Sequence, residues 1–166
     1  MKHVFARVGT VKKGTAVQWP AGIGIGAKGS EGVTGQVRQL SGAIGYAELA
    51  YADQNKIPYA DLKNAAGKFV TASFDSVTAA AANSKDLAPD FRGSITNAPG
   101  AGSYPISTYT WLLIPNRIPD AAKKKALVDF LNWMLGPGQK DAQPLYYAPL
   151  PTKIVDLEKK QIGEVK

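Results

Sequence analysis

The sequence predicts an α/β fold, a mixed sheet flanked by helices, and three stretches carry that expectation. Gly42 to Ala47, glycine-punctuated and set between two helical patterns, reads as a very short buried strand. Tyr104 to Ile114 is a longer run, nearly continuously apolar at its end, as a strand buried on both faces requires. Ala121 to Leu135 repeats Leu127, Phe130, Leu131 and Met134 at i, i+3, i+4 and i+7, the spacing of a helix that lays one face on a core. Alternating helix and strand signals of this kind belong to layered α/β domains.

The elements follow in chain order. Residues 1–19 alternate weakly through Val4, Ala6 and Val8, turn at Lys12-Lys13-Gly14 and stop at Pro20, which cannot donate to a strand ladder. The glycine-rich segment Ala21 to Gly29 predicts a loop. Ser30 is placed to cap the next helix, with Val33, Val37 and Leu40 as its buried stripe. In the segment 42–47, Gly42 and Gly45 leave no side chain, so neighbouring backbones can approach closely and a positive φ is available at either end. Glu48 to Asn55 predicts a short helix.

Ile57 to Leu62 and Lys68 to Thr71 read as extended, joined by the turn Asn64-Ala65-Ala66-Gly67. Ser73 caps a helix through Val77, Ala79, Ala80 and Ala81 that ends at Asn83-Ser84. From Leu87 to Gly102 the chain turns to Pro, Gly, Ser and Asn, the strongest internal boundary signal. Asp120 caps the helix Ala121 to Leu135, and Gly136-Pro137-Gly138 ends it. A broken segment, Gln139 to Leu145, leads through the extended Tyr146 to Pro151 into a last helix with Ile154, Leu157 and Ile162 inward.

Composition narrows the chemistry. A chain of 166 residues buries roughly 70% of its unfolded surface, so a core needs no covalent staples. There is no cysteine, which removes disulfides, thiolate metal sites and cysteine nucleophiles. The single histidine, His3, stands beside Met1, so no histidine metal site or histidine-based triad is expected. The net charge of +7 is spread over scattered lysines, with dense runs only at Lys123-Lys124-Lys125 and Lys159-Lys160. No arginine-rich arm or aromatic RNA-reading motif accompanies them, so no nucleic-acid partner is expected. No apolar run approaches the ~20 residues of a membrane span, and residues 1–8 lack the apolar core of a signal peptide.

Gly24-Ile25-Gly26-Ala27-Lys28-Gly29 fits the G-x-G-x-x-G pattern, with Glu48 downstream. A dinucleotide site needs an apolar strand running into the first glycine, and Trp19-Pro20 interrupts it. A surface loop delivering a helix N-terminus is the plainer reading. Trp111 and Trp133 read as packing residues and Trp19 as a candidate for the rim of a cleft. The 13 carboxylates form no pair whose roles spacing assigns, and no nucleophile stands beside a base, so the chain reads as non-enzymatic with no cofactor and no metal.

An ordered string of motifs resembles the phosphate-binding protein family of bacterial ABC-type phosphate transporters. It comprises Val11 to Pro20, Ala27 to Val33, Gly42 to Glu48, Tyr104 to Ser107, Val128 to Trp133, Gly138 to Lys140 and Tyr147 to Pro151, and covers about residues 9 to 160. The resemblance implies the C-terminal half of a two-lobed periplasmic-binding-protein fold. Residues 1–97 would be part of the second ligand-binding lobe, 98–103 a hinge crossing, and 104–166 the C-terminal part of the first lobe. It further implies an inorganic phosphate ligand, an ABC permease partner and a location in the periplasm or outside the membrane.

The family's ligand motif, an arginine followed by a Ser-Gly-Thr turn at a helix N-terminus, has no match here. The phosphate-binding residues are therefore unknown from sequence, with Ser30, Arg92 and Ser94 as the candidates. The expectation is a partial receptor whose main ligand groups lie elsewhere. It would associate with a complementary N-terminal half or as a domain-swapped homo-oligomer. A stand-alone interaction or structural module with no anion site is the alternative.

Overall fold

The computed structural model describes residues 24–85 and 87–166. The expected strand over residues 1–19, His3 and Trp19 lie outside the described residues. The chain divides into two compact units, Met1–Ile57 and Pro58–Lys166.

In the first unit the loop at residues 24–28 leads into helix α1 (Gly29–Gln39), as the glycines require. Lys28 rather than Ser30 is the N-cap, and no side chain caps this end. Ser30 sits one residue inside the helix, because Gly29, at φ +64°, has already made the left-handed turn that starts it. Thr34 is buried and donates to the Ser30 carbonyl, whereas Leu40 is exposed. The two glycines of the next segment each meet half of the expectation: only Gly42 takes a positive φ, and only Gly45 is closely approached, by side chains rather than backbone. Gly42 adopts φ +79°, and a Cβ on Gly45 would stand 2.7 Å from Val33 Cγ1 and 3.0 Å from Val37 Cγ2, so the extended chain lies flat on α1. Helix α2 (Leu49–Gln54) follows, with Glu48 as its N-cap and Asn55 as its C-cap.

The second unit opens with a hairpin of β1 (Leu62–Lys63) and β2 (Phe69–Val70), antiparallel in the register Leu62 to Val70 and Lys63 to Phe69. Helix α3 (Phe74–Ala82) starts at Ser73, whose Oγ accepts from the Ser76 N–H while Ser76 Oγ accepts from the Ser73 N–H, a reciprocal capping box. Helix α4 (Ala121–Met134) starts at Asp120, whose carboxylate accepts from the N–H groups of Ala122 and Lys123. Two short 3₁₀ turns, Pro137–Asp141 and Gln143–Leu145, lead to helix α5 (Thr152–Ile162). Helix α5 packs on both α3 and α4. The core of this unit is Ala80, Ala81, Ile95, Ala98, Leu131, Leu135, Ile154 and Val155.

Two expectations are corrected. The hairpin is the only sheet among the described residues, so the mixed sheet is not formed there. Neither Gly42 to Ala47 nor Tyr104 to Ile114 is a strand. Neither has a ladder partner among the described residues, and a strand exists only when another backbone takes its N–H and C=O groups. The apolar side chains meant for both faces of a sheet are consequently left outside: Ile44 is 73% exposed, Tyr46 77% and Leu113 94%. Phe130 and Leu157, expected inward, are exposed as well.

Candidate functional site

The three sequence candidates for anion binding fall in different units, Ser30 in the first and Arg92 and Ser94 in the second. Ser30 Oγ accepts from the Glu48 N–H at 3.4 Å, which ties α1 to the start of α2. Arg92 points its guanidinium at Asp90 in the same loop, with Nε 2.7 Å from Oδ2, and its side chain is 84% exposed. Desolvation pushes the Asp90 carboxyl up, but the backbone and side-chain hydrogen bonds and the charge of Arg92 outweigh it and hold Asp90 below its ordinary value. Ser94 Oγ accepts from the Thr96 N–H, a local turn bond. Arg92 and Ser94 thus share a loop but turn to separate partners.

Helix N-termini are the other natural source of anion donors. Those of α3 and α4 are closed by the side chains of Ser73 and Asp120. The phosphate cradle of a receptor combines several such donors with an arginine fork. Arg92 and the N-termini of α3 and α4 are engaged in folding the chain, whereas the N-termini of α1, α2 and α5 carry no side-chain cap. Among the described residues no three His, Asp or Glu side chains gather into a metal-binding group, and no helix is long and apolar enough to cross a membrane.

The most convergent polar cluster is one that sequence reasoning passed over. Asn64, read only as a turn residue, is buried at 6% exposure. Its Nδ2 lies 3.0 Å from the Gly100 carbonyl, 3.0 Å from that of Ala101 and 3.1 Å from that of Ser103. Its Oδ1 accepts from the N–H groups of Ala66 and Lys68. Ser103 is fully buried, donates from Oγ to the Pro99 carbonyl and accepts from Asn83 Nδ2. The signal in the sequence was the Asn-Ala-Ala-Gly turn itself, but nothing local shows that its amide reaches a loop 36 residues away.

A second cluster sits where α5 meets the chain after this loop. Burial raises the Tyr109 hydroxyl, and the nearby Glu158 carboxylate raises it further. Glu158 itself is pushed up by burial. The Tyr109 hydroxyl donates to the Ala81 carbonyl at the C-terminal end of α3. Trp111, expected in a buried strand, instead donates from Nε1 to the Phe91 carbonyl and meets Tyr109 edge to face. Trp133 stacks on Phe130, half exposed, with Gly138 seated against its ring.

Comparison with known proteins gives this arrangement its context. The chain is 49% identical over 146 residues to the phosphate-binding protein PstS of Xylella fastidiosa (strain Temecula1), covering 87% of this chain and 40% of that protein. It is 38% identical over 147 residues to the phosphate-binding protein PstS of Pasteurella multocida, covering 88% and 42%. It is 35% identical over 154 residues to that of Methanocaldococcus jannaschii, covering 84% and 39%. The chain therefore spans about two fifths of the length of the curated relatives it matches. A family model described as the PBP superfamily domain matches residues 7–137, and the chain belongs to that superfamily.

Proposed function

We propose that this chain is part of a solute-binding receptor for inorganic phosphate, serving uptake by an ABC transporter through binding and lobe closure rather than chemistry. The observation that carries the reading is its similarity, along most of its length, to proteins named phosphate-binding protein. In this reading residues 1–97 belong to the second ligand-binding lobe, 98–103 form a crossing between lobes, and 104–166 belong to the first. The receptor works in the periplasm or on the outer side of the membrane, with an ABC permease as its partner.

The groups that grip phosphate come from sequence beyond this stretch, which is about two fifths of its relatives' length. Two features support this. Arg92 is already paired with Asp90, and the N-termini of α3 and α4 are capped by their own side chains. The extended segments 42–47 and 104–114 then receive their strand partners from a complementary N-terminal half, or from a second copy by domain swapping.

Calorimetric titration with inorganic phosphate tests the proposal. The chain alone is expected to give no binding heat. The chain fused to the part of the Xylella fastidiosa relative outside the matched region is expected to bind with a Kd of about 1 μM or tighter. Tight binding by the chain alone would show that the gripping groups lie within it. A silent fusion would remove the receptor reading and leave an interaction module.

A further inference from the structure

We propose that the Asn64 side chain is a latch that makes residues 98–103 one rigid piece with the β1–β2 hairpin and α3, so that any swing of the chain beyond this loop is taken up in residues 106–114. The latch rests on geometry alone; its consequence for closure rests on reading 98–103 as a crossing between lobes.

The amide of Asn64 has two hydrogens, and three carbonyl oxygens converge on them at 3.0, 3.0 and 3.1 Å. Its oxygen is used at the same time by the Ala66 and Lys68 N–H groups. One side chain thereby fixes the hairpin turn on one side and the loop on the other. A second set of bonds holds the loop to α3. Asn83 Nδ2 donates to Ser103 Oγ, and the Tyr104 N–H donates to the Ser76 carbonyl. The loop is also closed on itself, with the Ser103 N–H on the Gly100 carbonyl and the Asn97 N–H on the Pro105 carbonyl.

Shape adds to this. Gly100 takes φ +109°, and a Cβ there would stand 2.5 Å from Asn83 Nδ2, so the backbone is pressed against the α3 side of the latch. Rotation about any dihedral within 98–103 would strand buried carbonyls without donors.

Residues 106–114 present the opposite case. Among the described residues none of their backbone N–H groups donates within the chain. The Ser107 carbonyl accepts from Thr96 Oγ1, and the side chains of Ser107, Tyr109 and Trp111 donate to the carbonyls of Tyr104, Ala81 and Phe91. A backbone with few bonds to break is where a turn of φ or ψ costs least, and hinges are short stretches of that kind.

Hydrogen–deuterium exchange on the ligand-free chain of 166 residues tests the latch. In the wild type the amides of Ser103 and Tyr104 are expected to exchange at least about tenfold more slowly than those of 106–114, as local opening free energies differ between bonded and unbonded backbone. Asn64→Asp places an acceptor where the three carbonyls need a donor, and is expected to speed exchange across 98–104 by about tenfold while α4 and α5 keep their protection. Asn83→Ala is expected to act in the same direction and more weakly. Equal exchange of 98–104 and 106–114 in the wild type overturns the proposal, and so does an Asn64→Asp variant with unchanged exchange. If that variant unfolds throughout, the wild-type contrast and Asn83→Ala still decide. Because no phosphate is present, the result is independent of whether the chain serves a phosphate receptor.

Discussion

Glu158 shows how its surroundings set the behaviour of one side chain. It lies on α5 four residues after Ile154 and three after Val155, both buried, and its own carboxyl is partly removed from water. Burial disfavours the charged form, so its pKa is raised above the ordinary 4.5. The sign of the stability effect follows. Just above the ordinary value the unfolded chain has lost this proton while the folded chain keeps it. Stability therefore falls as pH rises through that value and onward through the raised one, and stays lower above it. Glu158→Gln, which keeps the shape and removes the titration, is expected to match the wild type in Tm at about pH 4 and to exceed it at about pH 7. The gain should be under about 1 kcal/mol, since the carboxyl retains part of its solvation. Thermal unfolding followed by circular dichroism across this range measures it, and equal melting at both pH values would place Glu158 in water.

At the scale of the element, helix ends are decided by a few neighbouring residues, and their energetics can be assigned to single atoms. Ser73→Ala removes the acceptor of the Ser76 N–H and the hydroxyl partner of Ser76 Oγ. Asp120→Ala removes the acceptor of two N–H groups at the start of α4. Each is expected to cost about 1 kcal/mol in urea unfolding. Asp120→Asn should recover most of its loss, because the amide oxygen still caps. These ends were legible in the sequence because Ser73 and Asp120 act on atoms within three residues. Gly42 and Gly45 were legible only in part, one through its own φ and the other through its close approach to α1, where both properties were expected at both positions. Residues 42–47 and 104–114 were read as strands from the same kind of local pattern, and there it failed. Apolar composition says that a segment can join a sheet, but the ladder needs a second backbone that the pattern does not contain. Asn64 failed in the reverse sense. Its turn was visible, whereas its three long-range carbonyl partners were not. Of the candidate site, the positions of Ser30, Arg92 and Ser94 were legible, but not that each would be engaged with a neighbour already present in the fold.

For the molecule as a whole, the segments without a ladder partner among the described residues set the solution behaviour. Residues 111–113 expose Trp111, Leu112 and Leu113 in succession on extended backbone, with none of their N–H groups donating to backbone among the described residues. Natural sheet edges are protected by charges, prolines or bulges, and residues 106–114 contain none of the first two. Apolar area and free backbone groups in the same place favour strand addition from another chain, because one contact buries the side chains and completes the ladder together. The purified chain is therefore expected to self-associate in a concentration-dependent manner on size-exclusion chromatography with light scattering. Leu113→Lys should shift it toward the monomer without loss of helical circular dichroism, since Leu113 is 94% exposed and contributes little to the fold it would leave behind. A wild-type chain that runs as a compact monomer at all concentrations would show that these segments find their partners within the chain. An associating chain that Leu113→Lys leaves unchanged would move the contact to another exposed apolar site, such as Ile44 and Tyr46 in the first unit.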